Sequence, residues 1–101
     1  MSISIDVVEG GNTATIKVHG RFDFSVHNDF RKTYKDVNVS NGVYNVDLSE
    51  TDYMDSSALG MLLLLKEHAD SNSSRVKLVK ANNDIKEILH IASFDKLFTV
   101  E

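Results

Sequence analysis

Tyr53-Met54-Asp55-Ser56-Ser57-Ala58-Leu59-Gly60, followed by the apolar run Met61 to Leu65, is the stretch on which the fold turns. Just upstream, Val43-Tyr44-Asn45-Val46-Asp47-Leu48 has the composition of a buried strand. Asp55 and Ser56 are residue types that favour a helix N-cap, and a helix is expected after them. A strand therefore delivers two adjacent hydroxyls, Ser56 and Ser57, to a helix N-terminus. That end of a helix carries unsatisfied N–H groups and partial positive charge. An anion is favoured there, including a phosphate attached to the chain itself.

Upstream of this stretch, Ile3, Ile5 and Val7 alternate with Ser4 and Asp6, as in a half-buried strand. Gly10-Gly11-Asn12 signals a turn, and Ala14, Ile16 and Val18 make a second alternating strand. The two are expected to form a hairpin. Gly20-Arg21-Phe22-Asp23-Phe24 reads as chain leaving the sheet, with Ser25 as the N-cap of a first helix that runs to about Asp36. Ser49-Glu50-Thr51-Asp52 reads as a loop. Downstream, Asp70-Ser71-Asn72-Ser73-Ser74 ends the second helix, and Val76-Lys77-Leu78-Val79 is a fourth strand. Asn82-Asn83-Asp84 offers caps to a third helix with Ile85, Ile88, Leu89 and Ala92 on one face, and Phe94 to Val100 forms a short apolar tail. The order β-β-α-β-α-β-α predicts parallel pairing with right-handed crossovers and an antiparallel leading strand.

The chain has 101 residues, 42% of them apolar, which is one small globular domain over residues 1–101. It has no cysteine, which excludes a disulfide framework and fits a cytoplasmic setting. The net charge of −4 argues against non-specific binding to nucleic acid or an anionic membrane. Met1-Ser2-Ile3-Ser4 lacks the start of a signal peptide, and Met61 to Leu65 is too short for a membrane span. The phosphate-binding Gly-x-x-x-x-Gly-Lys and Gly-x-Gly-x-x-Gly loops are missing, and so is the Gly-x-Ser-x-Gly elbow of a serine hydrolase. His19, His27, His68 and His90 are scattered and read as surface or satisfied side chains, with no metal site and no bound cofactor expected.

On composition alone, capping is the simpler account of Asp55-Ser56-Ser57. Two features go further. Two hydroxyls follow the acid where one cap suffices, and Gly60 sits in the first turns, where it costs about 1 kcal/mol relative to alanine. A glycine there admits another backbone, from this chain or a partner. On the second helix, Ala58, Leu59, Met61, Leu62, Leu65 and Ala69 share one stripe, with Leu63 and Leu64 to its two sides. A neighbouring helix is expected to cover one of these two leucines, and the other to join an exposed docking patch.

The whole chain resembles a single STAS domain, the family of bacterial anti-sigma factor antagonists. The resemblance rests on Val46-Asp47-Leu48-Ser49 through Tyr53-Met54-Asp55-Ser56-Ser57-Ala58-Leu59-Gly60, and more weakly on Gly20-Arg21-Phe22-Asp23 and Leu89-His90-Ile91-Ala92-Ser93-Phe94. It implies an α/β fold, a mixed sheet of four to five strands with helices packed on one face. It also implies that Ser56 is phosphorylated by a partner that is both anti-sigma factor and serine kinase. Asp55 supports the acceptor, Ser57 is a secondary hydroxyl or cap, and Asp23 matches a family acid near the acceptor. The partner-binding surface then takes in Asp23, Asp55 and Ser57 around the acceptor, and Ala58, Gly60, Leu63 and Leu64 along the helix. Ala58 and Phe94 stand where the family has glycine, and Arg21 where it has an acid.

The resemblance implies partner switching by a protein that is not itself an enzyme. The unphosphorylated form binds the anti-sigma kinase and frees a sigma factor. The phosphorylated form lets go, and a serine/threonine phosphatase resets it. ATP and Mg²⁺ belong to the kinase. Other STAS domains are unphosphorylated subunits of membrane transporters or signalling scaffolds, which is the alternative for this chain. A small hydrolase with Ser56 as nucleophile is a third reading.

Overall fold

Alternation of apolar residues fixes which face of each strand is buried, and the computed structural model, which describes residues 3–8 and 11–101, follows it. The elements run β1 (Ile3–Val7), β2 (Thr13–Val18), β3 (Gly20–Phe22), α1 (His27–Tyr34), β4 (Val43–Asp47), β5 (Thr51–Met54), α2 (Ser56–Ser71), β6 (Arg75–Val79), α3 (Asn83–Ile91) and β7 (Thr99–Val100). One sheet has the order β1-β2-β4-β6-β7; β3 and β5 form a separate two-stranded ribbon. β1 lies antiparallel to β2, with Ile5 opposite Ile16, and the remaining neighbours are parallel. This is the expected mixed α/β sheet with an antiparallel leading strand. Gly10 of the turn, and Met1 and Ser2, lie outside the described residues.

The core sits on one face of the sheet. Ala14, Ile16 and Val18 of β2, Tyr44 and Val46 of β4, and Val76 and Leu78 of β6 are buried there. Against them pack Phe30 and Tyr34 of α1, Leu62 and Leu65 of α2, and Ile85 and Leu89 of α3. Each such side chain contributes about 1.5–3 kcal/mol by leaving water. The intervening residues Thr13, Thr15, Lys17, Asn45 and Lys77 are only half-buried and cover the other face.

Four boundaries differ from the sequence reading. α1 begins at His27 rather than after Ser25, and ends at Tyr34; Val37 packs against the core from beyond the helix. Gly20–Phe22 is a strand, not an exit from all sheet structure, and Thr51–Met54 is its strand partner, not a loop. The apolar tail supplies β7, which pairs with β6 through Lys77 opposite Thr99. Asn82 caps α3 as expected: its Oδ1 accepts from the Ile85 N–H at 2.9 Å.

Candidate functional site at two strand-to-helix junctions

The ribbon of β3 and β5 positions the site. Gly20, at φ +74°, turns the chain out of β2 into β3 in a conformation that other residues adopt only with strain. On β5, Thr51 is buried and its Oγ1 donates to the Val18 carbonyl at 2.9 Å, tying the ribbon to the main sheet. Arg21 pairs with Tyr53, and Phe22 with Met54. Phe22 and Met54 enter the core, while Arg21 and Tyr53 face outward with the guanidinium carbon 3.9 Å from the ring centroid.

Each strand ends in an aspartate in extended conformation: Asp23 at φ −135°, ψ −172°, and Asp55 at φ −125°, ψ −173°. Both come directly after the paired Phe22 and Met54, so they lie side by side at the end of a ribbon whose strands are about 4.8 Å apart. Each also caps the helical turn that comes after it. Asp55 Oδ1 accepts from the N–H groups of Ser57, at 3.0 Å, and Ala58, at 3.2 Å. The Leu59 N–H donates to the Asp55 carbonyl at 3.2 Å. Asp23 Oδ1 accepts from the Ser25 N–H at 3.0 Å and from its hydroxyl at 2.5 Å, and Asp23 Oδ2 accepts from Arg21 Nε at 3.3 Å. The Ser25 hydroxyl, then its amide, hold the Asp23 carboxyl below its ordinary value of 3.8. Asp23 thus takes the capping role expected of Ser25, and caps a 3₁₀ turn, Phe24–Val26, that leads into α1.

Ser56 is the first residue of α2 and is exposed. Along the same outward stripe lie Gly60, Leu63, Leu64 and Glu67, spaced by three and four, while Ala58, Met61, Leu62, Leu65 and Ala69 are buried. Leu63 is 40% and Leu64 55% exposed, so neither is covered, against the expectation that one would be. α1 comes up beside α2 but stops short of closing over them: Leu64, with Met61, Phe30 and Tyr34, lines a groove of about 220 Å³ between the two helices. Among the described residues, nothing lies within 4 Å of where a Gly60 Cβ would stand, which removes close packing inside this chain as the reason for that glycine. Ala58 is fully buried, so its methyl meets the core and not a partner. Asp55 and Ser57 are half-buried, and Asp23 is too.

Sequence reasoning missed two outward-facing groups. Phe24 follows Asp23 as Ser56 follows Asp55; it is 64% exposed and stacks on His27 with ring centroids 4.0 Å apart. The Arg21–Tyr53 contact is the other. Both were signalled by the parallel spelling Arg21-Phe22-Asp23 and Tyr53-Met54-Asp55, an outward residue, a buried one and a cap. The histidines each engage another group. His19 lies 3.5 Å from Glu50, His27 Nδ1 2.8 Å from the Phe24 carbonyl, His68 Nε2 3.1 Å from the Val37 carbonyl, and His90 Nδ1 2.9 Å from Asp95. Among the described residues, no three His, Asp or Glu side chains converge as a metal site would need, and no helix is long and apolar enough to cross a membrane.

The family model described as Mlab, STAS domain, matches residues 5–100. A STAS-domain containing protein of Pseudomonas aeruginosa is 43% identical over 90 residues, 89% of each chain. The anti-sigma factor antagonist SpoIIAA superposes with a TM-score of 0.67 in its unphosphorylated form (14% identity, 94% of this chain and 96% of that one). The phosphorylated form from Bacillus also gives 0.67 (13% identity, 98% and 90%). A sulfate transporter family protein from Wolinella succinogenes gives 0.79 (15% identity, 94% and 80%). At these identities the solved structures are alike in fold.

Proposed function

The chain belongs to the STAS-domain family, and from that premise we propose that it is an anti-sigma factor antagonist that works by partner switching in the cytoplasm. The observation that carries this reading is the exposure of Ser56 at the head of an outward stripe that continues into Gly60, Leu63 and Leu64. In the unphosphorylated form, an anti-sigma factor that is also a serine kinase docks on this stripe and a sigma factor is freed. The kinase phosphorylates Ser56, the complex parts, and a serine/threonine phosphatase restores the hydroxyl.

The physics of the switch is local. A phosphoserine adds about −1.5 to −2 charge. At the tip of a helix that charge is tolerated, because the dipole favours anions by about 0.3–1 kcal/mol. Beneath a docked apolar partner it loses water, at a cost on the order of 2–5 kcal/mol. Phosphorylation therefore removes binding and spares the fold. An antagonist of this fold has been solved in both forms, which supports the second half of that statement.

Capture of partners from the native cell tests the proposal. Ser56→Ala retains the kinase constitutively, and Ser56→Asp loses it with an unchanged melting curve. If both variants capture what the parent captures, the switch is refuted. A second reading, a STAS subunit of a membrane transporter or scaffold, draws support from the fold shared with a sulfate transporter family protein. Recovery of a permease or transport ATPase with the chain, and no phosphate on Ser56, would favour it.

A further inference from the structure

A phosphate on Ser56 does not find the usual helix N-terminal cradle in this protein. The amides of Ser57 and Ala58 are held by the Asp55 carboxylate, and that of Leu59 by the Asp55 carbonyl. The surroundings are acidic as well: the ribbon strands and their two caps carry Asp23, Asp52 and Asp55 against a single cation, Arg21. A dianion there is tolerated in open solvent but is not bound by the helix amides, so a group that holds it must come from outside the helix.

We propose that Arg21 is the phosphate-binding residue of the switch, moving from Asp23 and the Tyr53 ring onto the phosphate of Ser56. This deepens the proposed function and rests on Ser56 as the acceptor. Three observations support the move. Arg21 already leans along the ribbon toward its end, with Nε 3.3 Å from Asp23 Oδ2, and Asp23 lies beside Asp55, the neighbour of Ser56. Ser56 is three residues beyond Tyr53, roughly 10 Å of extended chain, which an arginine and a phosphoserine side chain reaching toward each other can close. The arginine side chain is 63% exposed, so it is free to move, and Asp23 keeps both hydrogen bonds from Ser25 when it leaves. A guanidinium binds phosphate through two parallel N–H groups, a stronger arrangement than its present single contact to Asp23. Departure of Arg21 also uncovers the Tyr53 ring, so the modified surface differs from the unmodified one at a second place.

The test installs phosphoserine at position 56 during translation, so that no kinase is needed, and follows the phosphate by ³¹P NMR as pH is varied. In the parent chain the second ionisation lies below the value of about 6 typical of a phosphoserine. Arg21→Gln raises it by about half a unit or more, and Arg21→Lys gives an intermediate value because a point charge replaces the fork. Amide spectra of the unphosphorylated variants report that the fold is intact. Equal ionisation midpoints in the parent and Arg21→Gln overturn the assignment. That result is independent of partner switching, whose own failure is read as equal partner capture by the Ser56 variants.

Discussion

Two neighbouring junctions of the molecule share a backbone plan and differ in the residue that follows the cap and in the helix that the cap opens. β3 ends in Asp23, a cap, followed by Phe24; β5 ends in Asp55, a cap, followed by Ser56. At the first junction the outward position is filled by a ring stacked on His27, and the cap is engaged by Ser25 and Arg21. At the second the outward position is a hydroxyl in open solvent, at the head of a 16-residue helix with leucines along its exposed side. The difference teaches that the plan itself is structural. A strand, an aspartate and a helix start form a stable corner whichever residue comes next, so that next residue is available for chemistry.

The largest effects concern the buried residues common to both junctions. Phe22→Ala removes a fully buried ring packed 5.1 Å from Phe30 and costs about 3–5 kcal/mol. Met54→Ala, also in the core, costs about 2–5 kcal/mol. Urea unfolding measures both, and a loss below about 1 kcal/mol at either would contradict its burial in the core. The caps come next. Asp55→Ala loses two accepted amides at the start of α2 and costs about 1–2 kcal/mol, lowering the melting temperature by roughly 4–8 °C per kcal/mol. Asp23→Ala, which removes the cap of only a three-residue turn, lowers it less.

A smaller effect appears in acid. The folded Asp23 carboxyl is held below 3.8, so its contribution is fully present above that value and is lost as pH falls through the lower folded value. Asp23→Asn therefore flattens the acid limb of the stability curve, and an unchanged limb would contradict the Ser25 contacts. The smallest is Ser56→Asp, which changes stability by no more than about 0.5 kcal/mol, because the side chain is exposed and the amides of the first turn are already held by Asp55. A large destabilisation there would mean that the hydroxyl is not free.

The sequence makes these junctions legible to unequal degrees. β2, β4 and α2 carry long apolar patterns, and Asp55 is a cap in its ordinary setting, so that corner is readable directly. β3 and β5 are three and four residues long, too short for alternation to show. Thr51, the buried anchor of β5, is polar, so a search for apolar residues passes over it. Ser25 has the composition of a cap because it is a serine before a helix, but Asp23 reaches both its amide and its hydroxyl and takes the role. Leu63 and Leu64 could not be settled from a helical wheel, since their exposure depends on how far α1 extends beside α2. Arg21 is a tertiary case: its partner Tyr53 is distant in sequence and meets it only through the register of the ribbon.

The central claim is that one hydroxyl decides docking, and intact-protein mass spectrometry tests it most directly. The chain is isolated from its native cell as two pools, free and partner-bound, and each is weighed. The account predicts one phosphoryl group on Ser56 in the free pool and none in the bound pool. Phosphorylated Ser56 in the bound pool, or no phosphate in either, would contradict it.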